Sequence, residues 1–223
     1  MNSSPVAIER AVHIPPDGVQ GDLVVPERAS GIVIFAHGSG SSRHSSRNRY
    51  VAGVLQQGGL ATLLMDLLTP EEEQVDMRTA QLRFDIPLLA RRLVDATDWA
   101  VSQPETRELN IGYFGASTGA GAALVAASGR PSAIGAVVSR GGRPDLAGES
   151  LPLVKAPTLL IVGSRDAPVI ELNQRAQREL RPENRLEIIA GATHLFEEPG
   201  TLERVADLAR WWFELHLQKQ PQE

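Results

Sequence analysis

Ser117 sits at the centre of Gly115-Ala116-Ser117-Thr118-Gly119, a G-x-S-x-G pattern between the apolar run Ile111–Phe114 and the small-residue run Thr118–Ala127. A serine hydroxyl attacks an acyl carbonyl only when a base takes its proton and the backbone exposes it. A sharp strand-to-helix turn provides the exposure, and small flanking residues let the chain pass close to neighbouring strands. The positive end of the following helix then faces any oxyanion that develops. The base must come from elsewhere. His194 lies in Gly191-Ala192-Thr193-His194-Leu195-Phe196, a small-residue loop after the apolar run Leu186–Ile189, from which an imidazole can reach over the nucleophile. Asp166 ends Gly163-Ser164-Arg165-Asp166, directly after Thr158–Val162, where a carboxylate can accept the histidine Nδ1–H and hold its tautomer. Gly-Ser-Arg-Asp is also turn chemistry, so a helix cap is the competing reading of Asp166. Asp145 competes for the acid role because it follows the preceding strand. Asp166 is preferred because it follows its strand at once and falls between Ser117 and His194 along the chain.

The tetrahedral oxyanion of such a reaction needs backbone donors. Thr118, next to the nucleophile, supplies one N–H, and the turn His37-Gly38-Ser39-Gly40 after Gly31–Ala36 supplies the other from Ser39 or Gly38. His37 reads as a structural residue bonding across that turn. Two arginines, Arg140 and Arg143, follow another strand; one could meet a substrate carboxylate, with Arg140 the better placed, or both could pair with surface acids.

Other readings of these residues fare worse. Gly119-Ala120-Gly121-Ala122-Ala123-Leu124 misses the last position of a dinucleotide fingerprint, and no lysine stands where a Walker loop requires one. A tightly packed small-residue helix with an incidental serine is the bland alternative. Histidines 13, 44 and 216 show no metal-ligand spacing, so neither a metal nor a cofactor is expected. Arg43, Arg47 and Arg49 read as a solvated turn, and Glu71-Glu72-Glu73 as a solvated loop or first helical turn.

These residues need elements to hold them. Arg10–Ile14 and Gln20–Val25 read as strands joined by Pro15-Pro16-Asp17-Gly18, hence an antiparallel pair. Gly31–Ala36, Ala61–Met65, Ile111–Phe114, Ala133–Val138, Thr158–Val162 and Leu186–Ile189 are apolar on both faces, as buried parallel strands are. Helical patterns lie between them at Asn48–Gln57, Phe84–Val101, Thr118–Ala127, Ile170–Leu180 and Leu202–Leu217, with Pro87 in a first turn. The alternation predicts an α/β fold: a mostly parallel twisted sheet of about eight strands, an antiparallel N-terminal edge, helices on both faces. In such sheets ligands bind beyond the carboxyl ends of the strands, where Ser117, Asp166 and His194 all fall. The stretch from Leu67 to Arg83 reads as a loop lending side chains to the pocket.

The chain of 223 residues, 42% hydrophobic, suits a single domain over 1–223. A net charge of −5 gives no polyanion-binding surface. Without cysteine, disulfides, thiolate zinc sites and cysteine nucleophiles are excluded. No basic start leads into a long apolar run, and no apolar stretch nears the roughly 20 residues of a membrane helix. The expected setting is therefore a cytoplasmic monomer or homodimer whose partner is a small-molecule ester, with neither nucleic acid nor membrane.

The chain resembles the α/β-hydrolase superfamily, and within it the dienelactone-hydrolase-like branch. The likeness is carried by the HGSG turn, the YFGASTGA elbow, the LLIVGSRD acid strand and the GATHLFEEPG histidine loop. It runs from about Gly21 to Leu217, and the order Ser117, Asp166, His194 is the order of that superfamily. The resemblance implies a cofactor-free hydrolase that forms an acyl-enzyme on Ser117. Dienelactone hydrolases proper use a cysteine, which this chain lacks, so the implied activity is that of a serine esterase. The spacing leaves no room for an inserted cap, which implies an open site. Acyl transfer by the same residues, or a non-catalytic binding protein retaining the fold, are the rival functions.

Overall fold

The computed structural model describes residues 6–218. Strands β1 (Val6–Ile14), β2 (Val19–Pro26) and β3 (Gly31–Ala36) lead into α1 (Ser46–Gln57), β4 (Ala61–Met65), α2 (Pro70–Thr79) and α3 (Ile86–Ser102). Then follow β5 (Asn110–Ala116), α4 (Thr118–Gly129), β6 (Ile134–Arg140), β7 (Thr158–Gly163), α5 (Ala167–Glu179), β8 (Asn184–Ile189) and α6 (Thr201–Leu217). They build one eight-stranded sheet of order β1-β2-β4-β3-β5-β6-β7-β8. From β4 to β8 every pairing is parallel. The β1 and β2 strands form the antiparallel edge.

Each face of the sheet carries its own core. One unites Ile34 and Tyr113 with Leu89 and Leu93 of α3, the alanines of α4 and Ala176 of α5. The other unites Phe35, Phe114 and Val138 with Leu55 of α1 and Trp212 and Phe213 of α6. The alternation of a strand sends neighbouring residues to opposite cores. Glycines on three adjacent strands make a smooth floor for α6. A Cβ on Gly31 would lie 2.8 Å from Leu217 Cβ, one on Gly112 2.7 Å from the Phe213 ring, and one on Gly135 2.9 Å from Leu217.

Two expectations need correction. The Leu67–Arg83 stretch holds a helix, α2, started by a capping box: Thr69 N–H donates to Glu72 Oε2 at 2.8 Å and Glu72 N–H to Thr69 Oγ1 at 3.2 Å. Pro70 opens it, and only Asp76 is buried along it, so it has no apolar stripe to betray it. The glutamates at 71–73 form its first turn. Strand β6 also runs past Val138, because pairing continues to Ala116↔Arg140 and Arg140↔Ile161. Arg140 is therefore the last residue of a strand, on the same face as Ala136 and Val138. No helix among the described residues is long and apolar enough to cross a membrane.

Placing a methyl at the centre of the α6 floor should cost stability. Gly112→Ala is expected to lower the unfolding free energy by about 1–3 kcal/mol, the range for overpacking. Urea denaturation measures it, and an unchanged midpoint would mean that α6 does not rest on this floor.

Candidate active site

The elbow has the strain its pattern implies. Ser117 adopts φ 50° and ψ −121°, a left-handed conformation that costs a non-glycine residue of order 1–3 kcal/mol. The neighbouring strand and turn hold it there. Its N–H donates to Arg140 O at 3.2 Å, and its carbonyl accepts from Ala120 N–H at 3.1 Å and Arg143 N–H at 3.0 Å. The glycines of the pattern are needed for clearance. A Cβ on Gly119 would lie 2.3 Å from Ala36 O, and one on Gly115 2.4 Å from Ala120 Cα. Gly38 abuts the serine itself, a Cβ there falling 3.1 Å from Ser117 Cβ.

Asp166 and His194 meet. The imidazole Nδ1 lies 2.6 Å from Asp166 Oδ2, with the acid 14% and the imidazole 40% exposed. Asp166 occupies the N-cap position of α5, yet its side chain makes no capping bond. The histidine loop is pinned to the acid turn: Arg165 N–H donates to Ala192 O at 2.9 Å and Gly191 N–H to Ser164 Oγ at 2.8 Å. Gly163 makes this seam possible, since a Cβ there would lie 2.4 Å from Ala192 O and 2.6 Å from Thr193 O. The loop turns back at Phe196, a buried residue with φ 55°. The imidazole sits near the elbow: a Cβ on Gly141, which follows the carbonyl bonded by Ser117, would be 3.6 Å from His194 Cε1. Among the described residues no hydrogen bond joins Ser117 Oγ to His194 Nε2; such contacts often tighten only when substrate is bound.

The remaining candidates divide. Thr118 opens α4, so its N–H has no partner within the helix. Ser39 N–H donates to Thr118 Oγ1 at 2.9 Å, so the expected second donor is engaged and must exchange that partner for an oxyanion. His37 is structural: Leu67 N–H donates to its Nε2 at 3.1 Å and its Nδ1–H donates to Gly38 O at 2.9 Å. Burial pushes its pKa down and keeps it neutral, against that bond and the charges of Asp66 and Glu73. Asp145 is committed to Arg143 at 2.7 and 2.8 Å. Of the expected solvated arginines, Arg49 is exposed and pairs with Asp22 at the surface, whereas Arg43 is drawn in by Asp22 and Asp66. The Arg140 guanidinium lies under the histidine loop, bonded to Asn48 at 3.3 Å, on the α1 side of the sheet.

A cavity of about 330 Å³ adjoins the elbow at Ser39 and Thr118. Leu67, Leu68, Met77 and Leu89 supply its apolar lining, and Glu73, Asp76 and Arg83 its charges. Several of these residues come from α2, the helix missed in the sequence, whose Thr69-Pro70-Glu71-Glu72 start was the available signal. Buried Asp76 anchors Arg83, accepting from its Nε at 2.5 Å and its N–H at 3.0 Å. Burial works to raise the Asp76 carboxyl, but the backbone and side-chain bonds from Arg83, with its charge, hold it below the usual range.

Residues 19–212 match the model of the dienelactone hydrolase family. The crystal structure of dienelactone hydrolase from Anabaena variabilis is 60% identical, covers 97% of this chain and 100% of its own, and superposes with a TM-score of 0.93. Two Mycobacterium tuberculosis proteins, each called "Putative phosphoribosyl transferase", are 64% identical over 202 residues, which is 91% of this chain and 45% of theirs. The chain thus spans less than half the length of these curated relatives. Est1E from Butyrivibrio proteoclasticus shares the fold at 18% identity, with a TM-score of 0.74 over 92% of this chain and 97% of its own. The architecture is the α/β-hydrolase fold.

Asp76 should leave a pH signature. With its folded pKa depressed, its contribution is complete above about pH 4, the unfolded value, and fades as pH falls through the lower folded value. Asp76→Asn is expected to cost about 1–3 kcal/mol at pH 7 by removing the negative charge and one of the two carboxylate acceptors that hold Arg83, and progressively less toward pH 3. Urea denaturation at both pH values measures this, and a gap independent of pH would refute it.

Proposed function

The chain belongs to the dienelactone hydrolase family, and within it we propose a serine esterase that cleaves a carboxylic ester of a small molecule through an acyl-enzyme on Ser117. The reading is carried by Asp166, which sits at a helix cap position and bonds His194 instead of capping. A carboxylate withheld from its helix serves the imidazole. Asp166 accepts the Nδ1–H and leaves Nε2 free as a base.

The steps follow from the placement. Ser117 Oγ attacks the ester carbonyl while His194 Nε2 takes its proton. The tetrahedral oxyanion is met by Thr118 N–H and by Ser39 N–H, released from Thr118 Oγ1. His194 returns the proton to the departing alcohol. Water, deprotonated by the same imidazole, then cleaves the acyl–serine bond and frees the acid and Ser117. The cavity beside Ser39 and Thr118 takes the acyl group, and its leucines and Met77 favour a short apolar chain. The phosphoribosyl transferase name belongs to proteins of which this chain spans 45%, and the esterase reading concerns the segment shared with them.

The test is hydrolysis of p-nitrophenyl acetate and butyrate, with intact mass after a fluorophosphonate probe. Ser117→Ala is expected to lower kcat roughly 10⁴- to 10⁶-fold and to lose the single adduct. Gly163→Ala, which pushes the histidine loop off the acid turn, should cost about 10²-fold while Ser117 still forms the adduct slowly. Activity surviving in Ser117→Ala would place the nucleophile elsewhere. A folded protein with neither hydrolysis nor adduct would favour a binding protein. Added alcohols that divert the acyl group from water would favour acyl transfer.

A further inference from the structure

Among the described residues, no acid pairs with the positive charge that Arg140 carries into the protein. The residue is 6% exposed and forms no ion pair among the described residues. Its Nη2 donates to Asn48 Oδ1 at 3.3 Å, its Nε has no partner, and the Phe196 ring lies 5.9 Å from Cζ. Burial, and after it the like charge of Arg47, pulls the guanidinium down to about 10. Arg143, three residues further on, is engaged by Asp145. A buried cation without a counter-charge is costly, and an unmet buried donor calls for a partner.

The guanidinium is also aimed at the wrong end of a helix. Asn48 belongs to the first turn of α1, a twelve-residue helix with no acidic residue in that turn. Ser45 Oγ caps the Asn48 N–H at 3.3 Å and Ser45 O accepts from Arg49 N–H at 2.9 Å, so the two N–H groups before them, with the positive dipole end, are what attract anions and repel cations here. Arg47, in the same turn, has a side chain 32% exposed and, among the described residues, pairs with Glu197, 3.4 Å away and 64% exposed. So exposed a pair is readily exchanged.

We propose that Arg140, Arg47 and the first turn of α1 form a site for an oxyanion of the carboxylate or phosphate class, beside the elbow. The anion takes two donors from Arg140, replaces Glu197 on Arg47 and neutralises the helix end. The site is tied to the elbow by one main-chain hydrogen bond, Ser117 N–H to Arg140 O, and the Phe196 ring of the histidine loop lies over it. The acyl cavity lies on the opposite side, at Ser39 and Thr118. The anion is therefore either a free ion or the charged group of an ester's alcohol portion.

Thermal unfolding in sodium phosphate against sodium chloride at matched ionic strength tests the site without reference to activity. The wild type is expected to gain about 2–6 °C from phosphate at saturation. Arg140→Met should lose that gain and be no less stable than the wild type in chloride, since it removes an unpaired buried charge. Arg47→Gln, which keeps the core intact, should weaken the response. No gain beyond chloride in the wild type, or an undiminished gain in Arg140→Met and Arg47→Gln, overturns the site. The source is read separately from kcat/KM for 4-acetoxybenzoate relative to phenyl acetate, the one arm that rests on the esterase reading. A ratio that falls about tenfold in Arg140→Met assigns the site to the leaving group. An unchanged ratio with the phosphate response present assigns it to a free anion. Failure to cleave either ester sinks the esterase reading and leaves the thermal result standing.

Discussion

Close approach of backbone to backbone at the carboxyl edge of the sheet is the constraint on which the site depends. Gly119 lies against the carbonyls of Ala36 and His37, and Gly163 against those of Ala192 and Thr193. At both places a side chain would meet main-chain oxygen, which cannot rotate aside. The first contact locks the elbow to the β3 turn and so sets Ser117 beside Ser39. The second locks the acid turn to the histidine loop and so sets Asp166 beside His194. A third link, Ser117 N–H to Arg140 O, joins the two halves through β6. The geometry is thus stored in rigid main chain on strand ends, where small errors in placement are hardest to make.

Much of this was legible because each candidate followed an apolar run. Strand runs that are apolar on both faces announce a buried parallel sheet, and the residue after each then has only one edge to occupy. Asp166 over Asp145 was a decision from chain position; Asp166 bonds His194 and Asp145 bonds Arg143. What stayed hidden had no periodic signal. Helix α2 buries a single acidic residue, so its pattern is polar all round, and only its capping box marked it. The engagement of Ser39 N–H by Thr118 Oγ1 depends on a contact across 79 positions of sequence. The burial of Arg140 followed from two more residues of strand pairing, which turned a loop arginine into a core one.

The two faces of the sheet divide the electrostatic work. On the α2 side, Arg83 is matched by Asp76 and Arg43 by Asp66, so the cavity's charges are largely met at close range. On the α1 side, Arg140 has no paired acid among the described residues and lies against the first turn of α1, a helix end of its own sign. Arg92, as deeply buried as Arg140, is matched by Asp17 and Glu72, which is the compensation a buried cation requires. The contrast between the faces is what separates an arginine that braces a wall from one that awaits a ligand.

The absence of cysteine ties these features together. Where a thiol is the nucleophile, part of it is ionised near neutral pH and the base can be loosely held. A serine hydroxyl has no such reserve, and its proton must leave during the attack itself. The imidazole must then be fixed in one tautomer and one orientation beforehand. This chain achieves both with a carboxylate that forgoes its helix cap, a loss of roughly 0.5–2 kcal/mol, and with a loop seamed to the acid turn through Gly163. Positive φ at Ser117 and at Phe196 shapes the same two pieces, the elbow and the histidine loop. In the proposed esterase, an oxygen nucleophile therefore places its demands on residues far along the chain, at the ends of β7 and β8.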